Sequence, residues 1–211
     1  GFGSPPFAIA KPYPCRYPQP VHKIGLYGGS FNPVHLGHLL VAQAAREELA
    51  LDRLFFIPAA QSPFKPESIL APPQERLRLL RLALAGQPQC AIDDQELRRG
   101  GVSYSILTVR DYARRYPDAS LFYLIGADHA AMLPKWRDAA ELAQRAQFVV
   151  IPRPGEPEQP LPPPFRGRQL RGFPLRVSSS EIRDRIRLGL PIELLVGPPV
   201  AEAIHKNQLY L

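Results

Sequence analysis

The chain has 211 residues, 45% of them hydrophobic, and a formal net charge of +7. That length holds one domain with a full core, or one domain and a small appendage, of ordinary globular composition. No apolar run approaches the roughly 20 residues that span a bilayer, so no membrane partner is expected. The N-terminus lacks the charged-then-apolar pattern of a signal peptide. Two cysteines, Cys15 and Cys90, have no metal-type spacing. Free thiols in a reducing, cytoplasmic compartment are therefore expected. The positive charge suits anionic partners such as nucleotides or nucleic acid, and equally describes a solvated arginine-rich surface.

In chain order, residues 1–22 are dense in proline and show no apolar periodicity, which reads as an extended leader. The domain then runs over 23–211. Residues 24–27 form a short apolar run that stops at Gly28-Gly29. A helical pattern follows over 39–51, a strand over 53–59, and an amphipathic helix over 74–85 with Leu77, Leu80 and Leu84 on one face. A weak strand is predicted at 90–92, a helix over 105–116, and a strongly apolar strand over 120–126. Then come a helix over 138–145, a strand over 148–151, a proline-rich loop over 152–168 and a last strand over 175–177. Two helices close the chain, one from Ser179 and one from about Pro199. Short, continuously apolar strands alternating with helices predict an α/β fold, a Rossmann-like doubly wound parallel sheet with helices on both faces. Ligands in such sheets sit beyond the carboxyl ends of the strands, where the strand order reverses.

The first strand-to-helix turn reads Gly28-Gly29-Ser30-Phe31-Asn32-Pro33-Val34-His35-Leu36-Gly37-His38. Paired glycines allow a sharp turn and a close approach to a ligand. The helix that follows presents unpaired N–H groups and the positive end of its dipole, a site for phosphate oxygens. His35 and His38, three apart, share a face of the first turn and could both donate to one triphosphate. The pair is also half a metal site, but no third ligand of suitable spacing exists, so no protein-held metal is expected. The phosphate loops G-x-x-x-x-G-K-S/T and G-x-G-x-x-G are absent here. A second junction reads Val177-Ser178-Ser179-Ser180-Glu181-Ile182-Arg183. Ser178 and Glu181 fit a helix capping box, and Arg183 adds a planar donor fork one turn in.

The first turn resembles the nucleotidyltransferase signature G-S/T-F-D/N-P-x-H-x-G-H, and the second resembles I-S-S-T-x-I/V-R of the same superfamily. Asn32 stands where Asp is usual, and Val177 and Ser180 replace Ile and Thr. The resemblance implies that Gly28, Gly29, Ser30, Phe31, Ser178, Ser179 and Ser180 line the ATP phosphates. It also implies that His35, His38 and Arg183 offset charge during transfer.

Three further stretches are similar to bacterial nicotinate-nucleotide adenylyltransferases. Residues 58–65 match P-x-x-x-P-P-H-K with Lys65 retained and Phe64 in place of His. Residues 96–105 match E-x-x-R-x-G-x-S-Y-S/T, and 125–136 match I-G-x-D-x-x-x-x-L-x-x-W. By that resemblance Lys65 is an anion ligand, Tyr104 lines the pyridine-nucleotide pocket, Gly126 and Asp128 contact the nucleotide, and Trp136 stacks on the pyridine. An electron-poor ring gains about 1 kcal/mol from such a partner.

The activity implied is adenylyl transfer from ATP to nicotinate mononucleotide. Mg²⁺ would be held by substrate oxygens and water instead of a protein cage. Nucleic acid is not an expected partner, since no nucleic-acid motif is present and the arginines are scattered. A homo-oligomer is left open. So are nicotinamide mononucleotide or phosphopantetheine as acceptor, and a non-catalytic nucleotide-binding protein on the same fold.

Overall fold

A computed structural model describes residues 22–64, 70–155, 157–158, 160–173 and 175–211. Residues 1–21 of the expected leader, with Cys15, and Lys65 of the acceptor loop lie outside the described residues. Six parallel strands form one sheet in the order β3-β2-β1-β4-β5-β6. They are β1 Lys23–Gly29, β2 Arg53–Pro58, β3 Cys90–Ile92, β4 Ser120–Gly126, β5 Gln147–Ile151 and β6 Gly167–Gln169. The doubly wound expectation is met, and the order reverses between β1 and β4, which pair from Lys23↔Ser120 to Tyr27↔Leu124.

Alternate side chains of each strand enter opposite cores. Ile24, Leu26, Phe55, Ile57, Leu121, Tyr123 and Ile125 face one, with helices α4 (Ser105–Arg115) and α6 (Ala139–Arg145). Leu54, Phe56, Phe122 and Leu124 face the other. That side is covered by α1 (Leu36–Leu49), α2 (Pro73–Ala83), α7 (Ser179–Arg187) and α9 (Pro198–Lys206). Burial on both sides is why these strands read as unbroken apolar runs. Short helices α3 (Gln95–Arg99), α5 (Ala127–Ala130) and α8 (Glu193–Val196) complete the chain, with a 3-10 turn at Leu133–Lys135.

Three sequence expectations are corrected. The last strand is Gly167–Gln169, not 175–177. The Leu175 amide is spent on a local bond to the Phe173 carbonyl, and Val177 packs against the core beside β1 and α1 instead of joining a ladder. Gly167 fits because a Cβ there would collide with the backbone of Phe148. A strand reading Gly-Arg-Gln on the sheet edge carries no apolar signal. Three helices, not two, close the chain, since α8 forms between the expected pair. The first helix also starts three residues before its predicted position, at Leu36. Its cap is built from histidine, a residue with no strong capping preference.

Candidate active site

Strand β1 ends at Gly29 and β4 at Gly126, side by side at the reversal point. The turn after β1 is tightly held. Phe31 has φ 45, the left-handed region that residues other than glycine seldom occupy. Its ring is 1% exposed and packs edge-on to Tyr27. What Phe31 offers a ligand is therefore backbone, while its side chain anchors the turn in the core.

His35 is the N-cap of α1 and is 6% exposed. Its backbone amide donates to His38 Nδ1 at 3.2 Å. An accepting Nδ1 leaves the His38 proton on Nε2. The two rings stack with centroids 3.8 Å apart and planes 35° apart. Burial lowers the His35 pKa to about 4. Burial, and then the neighbouring His35, hold His38 well below the usual histidine range. Both imidazoles are neutral at pH 7 and donate N–H bonds without carrying a full charge.

The second motif closes on the first. Ser178 caps α7 by accepting from the Glu181 amide at 3.2 Å. Ser179 Oγ donates to the Pro33 carbonyl at 2.8 Å. Arg183 donates through Nη1 to the Asn32 carbonyl at 2.8 Å and through Nη2 to Ser180 Oγ at 3.1 Å. Gly37 permits this approach: a Cβ there would stand 2.9 Å from Val177 Cγ1 and 3.0 Å from the His35 ring. His35, His38, Ser178, Ser179, Ser180 and Arg183 are thus brought to one place, with Gly28, Gly29 and Ser30 beside them. Neutral N–H donors, hydroxyls and one guanidinium make an environment for phosphate oxygens.

A second group of expected site residues lies beyond β4. Asp128 pairs with Arg153 at 3.1 Å, and its Oδ1 lies 2.6 Å from where a Cβ on Gly126 would stand. Trp136 follows the 3-10 turn, half-buried, edge-on to Tyr123 and Phe148 at 6.1 and 6.2 Å. Phe64 lies 5.5 Å from the indole and 5.2 Å from His129. Tyr104 caps α4 with the Arg137 guanidinium 4.8 Å above its ring.

Sequence reasoning passed over Arg76, which is 1% exposed. It donates to the Ser30 carbonyl at 2.7 Å and to the Ala71 carbonyl at 3.2 Å. Asn32 Oδ1 accepts from the Ala71 amide at 2.9 Å. The departure from Asp at position 32 thus keeps an acceptor where one is needed. A charged residue one turn before the buried Leu79 and Leu80, on the apolar stripe of α2, was the available signal for Arg76. Glu96, 3% exposed, was quoted only as part of a motif.

The cytidylyltransferase-like family model matches residues 26–185. A protein of Rhodopirellula baltica named "Probable nicotinate-nucleotide adenylyltransferase" is 39% identical over 208 residues, covering 92% of this chain and 95% of its own. The chain belongs to the nicotinate-nucleotide adenylyltransferases. A relative of the same name from Opitutus terrae is 40% identical over 190 residues, covering 89% of this chain and 97% of its own. The nicotinic acid mononucleotide adenylyltransferase of Plasmodium falciparum, solved complexed with NaAD, shares the fold. Its TM-score is 0.72 at 17% identity, over 90% of this chain and 97% of that one. Among the described residues of this adenylyltransferase, no helix is long and apolar enough to cross a membrane.

Proposed function

We propose that this adenylyltransferase joins nicotinate mononucleotide to the adenylyl group of ATP, releasing pyrophosphate and forming nicotinate adenine dinucleotide for NAD biosynthesis in the cytoplasm. The observation that carries the reading is the convergence of two phosphate-type turns, far apart in sequence, at the reversal point of the sheet. An oxygen of the acceptor 5′-phosphate attacks the α-phosphorus, and the bond from that phosphorus to the oxygen bridging to the β-phosphorus breaks. No protein nucleophile takes part. His38, through Nε2–H, and His35 donate to phosphate oxygens, and Arg183 supplies positive charge to the leaving pyrophosphate. Lys65, in the loop after β2, serves as an anion ligand. Each such donor contributes on the order of 10²–10³ in rate. The serine hydroxyls and amides of the α7 turn orient the same phosphates, while Gly126 and Asp128 border the nucleotide and Tyr104 and Trp136 flank the pyridine.

Among the described residues no group of His, Cys, Asp and Glu could hold a metal ion, and the donors at the site are cations, hydroxyls and N–H groups. That donor set fits Mg²⁺ carried by phosphate oxygens and water. When bound, the ion would screen phosphate charge and hold the triphosphate in one geometry.

Pyrophosphate release from ATP and Mg²⁺, with nicotinate and nicotinamide mononucleotides in separate reactions, tests the reading. Turnover with the acid and little with the amide is expected. His35→Ala should lower that turnover by about 10²-fold or more. Turnover only with the amide would move the acceptor assignment. Its absence with both, from folded protein, would overturn the mononucleotide assignment in favour of a pantetheine acceptor or a non-catalytic nucleotide-binding role.

A further inference from the structure

Arg137 carries a positive charge that the chemistry above does not use. It follows Trp136 directly, and its guanidinium carbon lies 4.8 Å from the centre of the Tyr104 ring. Such a contact engages the charge of the guanidinium and leaves its planar set of N–H donors unspent. Among the described residues Arg137 donates no hydrogen bond and pairs with no carboxylate. The acids that follow it are already taken. Asp138 pairs with Arg110 at 3.0 Å, and Glu141 is shared by Arg110 and Arg145. Arg137 is therefore left uncompensated.

Two contacts fix where that cation stands. Trp136 lies edge-on to Tyr123, with ring centres 6.1 Å apart. Tyr123 Oη in turn lies 2.8 Å from Ser105 Oγ. The neighbours Trp136 and Arg137 thus meet the neighbours Tyr104 and Ser105 twice, once through Tyr123 and once through Arg137 itself. The backbone on either side is also held. The Trp136 amide donates to the Leu133 carbonyl at 3.0 Å, and Asp138 is the N-cap of α6.

We propose that Arg137 sets the preference for the acid over the amide, its guanidinium pairing with the pyridine carboxylate of the mononucleotide. This rests on the reading of Tyr104 and Trp136 as the flanks of the pyridine. The two mononucleotides carry the same 5′-phosphate and differ only in the ring substituent, a carboxylate in one and a neutral carboxamide in the other. A cation beside the ring therefore separates them by charge. A carboxylate also matches the guanidinium fork through two parallel hydrogen bonds, which a carboxamide has only one oxygen to accept. Arg137 is exposed, so salt weakens the pairing.

Arg137→Gln and Arg137→Lys would be compared with the unaltered enzyme by pyrophosphate release, with each mononucleotide in turn. Arg137→Gln should lower kcat/KM for nicotinate mononucleotide about tenfold. For nicotinamide mononucleotide kcat/KM should stay within roughly twofold, as should the KM for ATP. Arg137→Lys, which keeps the charge and loses the fork, should retain part of the preference. Raising salt from about 0.05 M to about 0.5 M should narrow the preference of the unaltered enzyme and leave that of Arg137→Gln nearly level. The salt series needs no variant, so it decides even if Arg137→Gln fails to fold. An equal loss with both mononucleotides would mean that Arg137 serves the shared phosphate or the shape of the pocket, and that result overturns the assignment. So does a preference that neither salt nor substitution moves. An unaltered enzyme that turns over neither mononucleotide defeats the pocket reading and this inference with it. A working enzyme with indifferent variants defeats the inference alone.

Discussion

His35 and His38 stack at 3.8 Å, so a proton on either ring would stand beside the other in a site with little water. This has a direct consequence for stability. The His35 pKa is depressed to about 4 in the folded chain and that of His38 is held well below its usual range, against a histidine value of about 6.5 when unfolded. Above pH ~6.5 both states carry neutral rings and the pair imposes no penalty. As pH falls from there towards 4, only the unfolded chain takes up protons. Each ring then removes about 1.4 kcal/mol of stability per pH unit. The denaturation midpoint of the ligand-free protein should therefore fall across pH 6.5 to 4, and His35→Asn should fall less steeply. An equal slope in the variant would contradict the burial argument. A triphosphate acts in the opposite sense, since its charge favours the protonated rings. The histidines were legible in the sequence because their spacing and the preceding glycines are local. The Asn32 carbonyl and side chain, which hold Arg183 and Ala71, were not legible because their partners lie far along the chain.

Between elements, the contact that brings the two motifs together is the approach of α1 to the segment entering α7, and Gly37 is a narrow point in it. Alanine in a helix is worth up to about 1 kcal/mol over glycine. At Gly37 that gain competes with a Cβ placed 2.9 Å from Val177 Cγ1 and 3.0 Å from the His35 ring. Overpacking of this kind costs about 1–3 kcal/mol, so the clash outweighs the propensity. Gly37→Ala should lower the denaturation midpoint and reduce turnover more than tenfold, because the strain falls on His35 itself. A raised midpoint with normal turnover would show that the contact yields freely. Helix α7 was readable from Ser178 and Glu181, since a cap is written within four residues. Strand β6 was not, because its pairing with β5 is a property of the partner strand.

At the scale of the whole molecule, Arg76 reaches from α2 to the Ser30 carbonyl and ties the β1 turn to Ala71, just before α2. Burial lowers its pKa from the usual guanidinium value, and the nearby Tyr210 opposes that shift. Arg76→Met would keep the apolar stem and remove the donors, leaving the Ser30 and Ala71 carbonyls without them. Unpaired buried groups cost about 1–3 kcal/mol each. Chemical denaturation should show a loss of about 2–5 kcal/mol with little change in the m-value, and ATP affinity should fall with it. Stability within 0.5 kcal/mol of the parent, a margin usual for surface changes, would mean that the clamp is incidental.

Apolar periodicity, paired glycines, histidine spacing and the serine cap are encoded within a few neighbouring residues. The sequence alone therefore determined the alternating strands and helices, the parallel doubly wound class and the histidine-bearing and serine-capped helix starts. Partners separated by long stretches of chain are not encoded that way. Only the tertiary structure decided that Arg183 meets the Asn32 carbonyl, that Arg76 meets Ser30, that the Ser103 hydroxyl takes the Ala60 amide, and that the edge strand falls at 167–169. In each case the deciding force is the need to satisfy polar groups once the sheet has buried them, and that need arises only when distant segments come together.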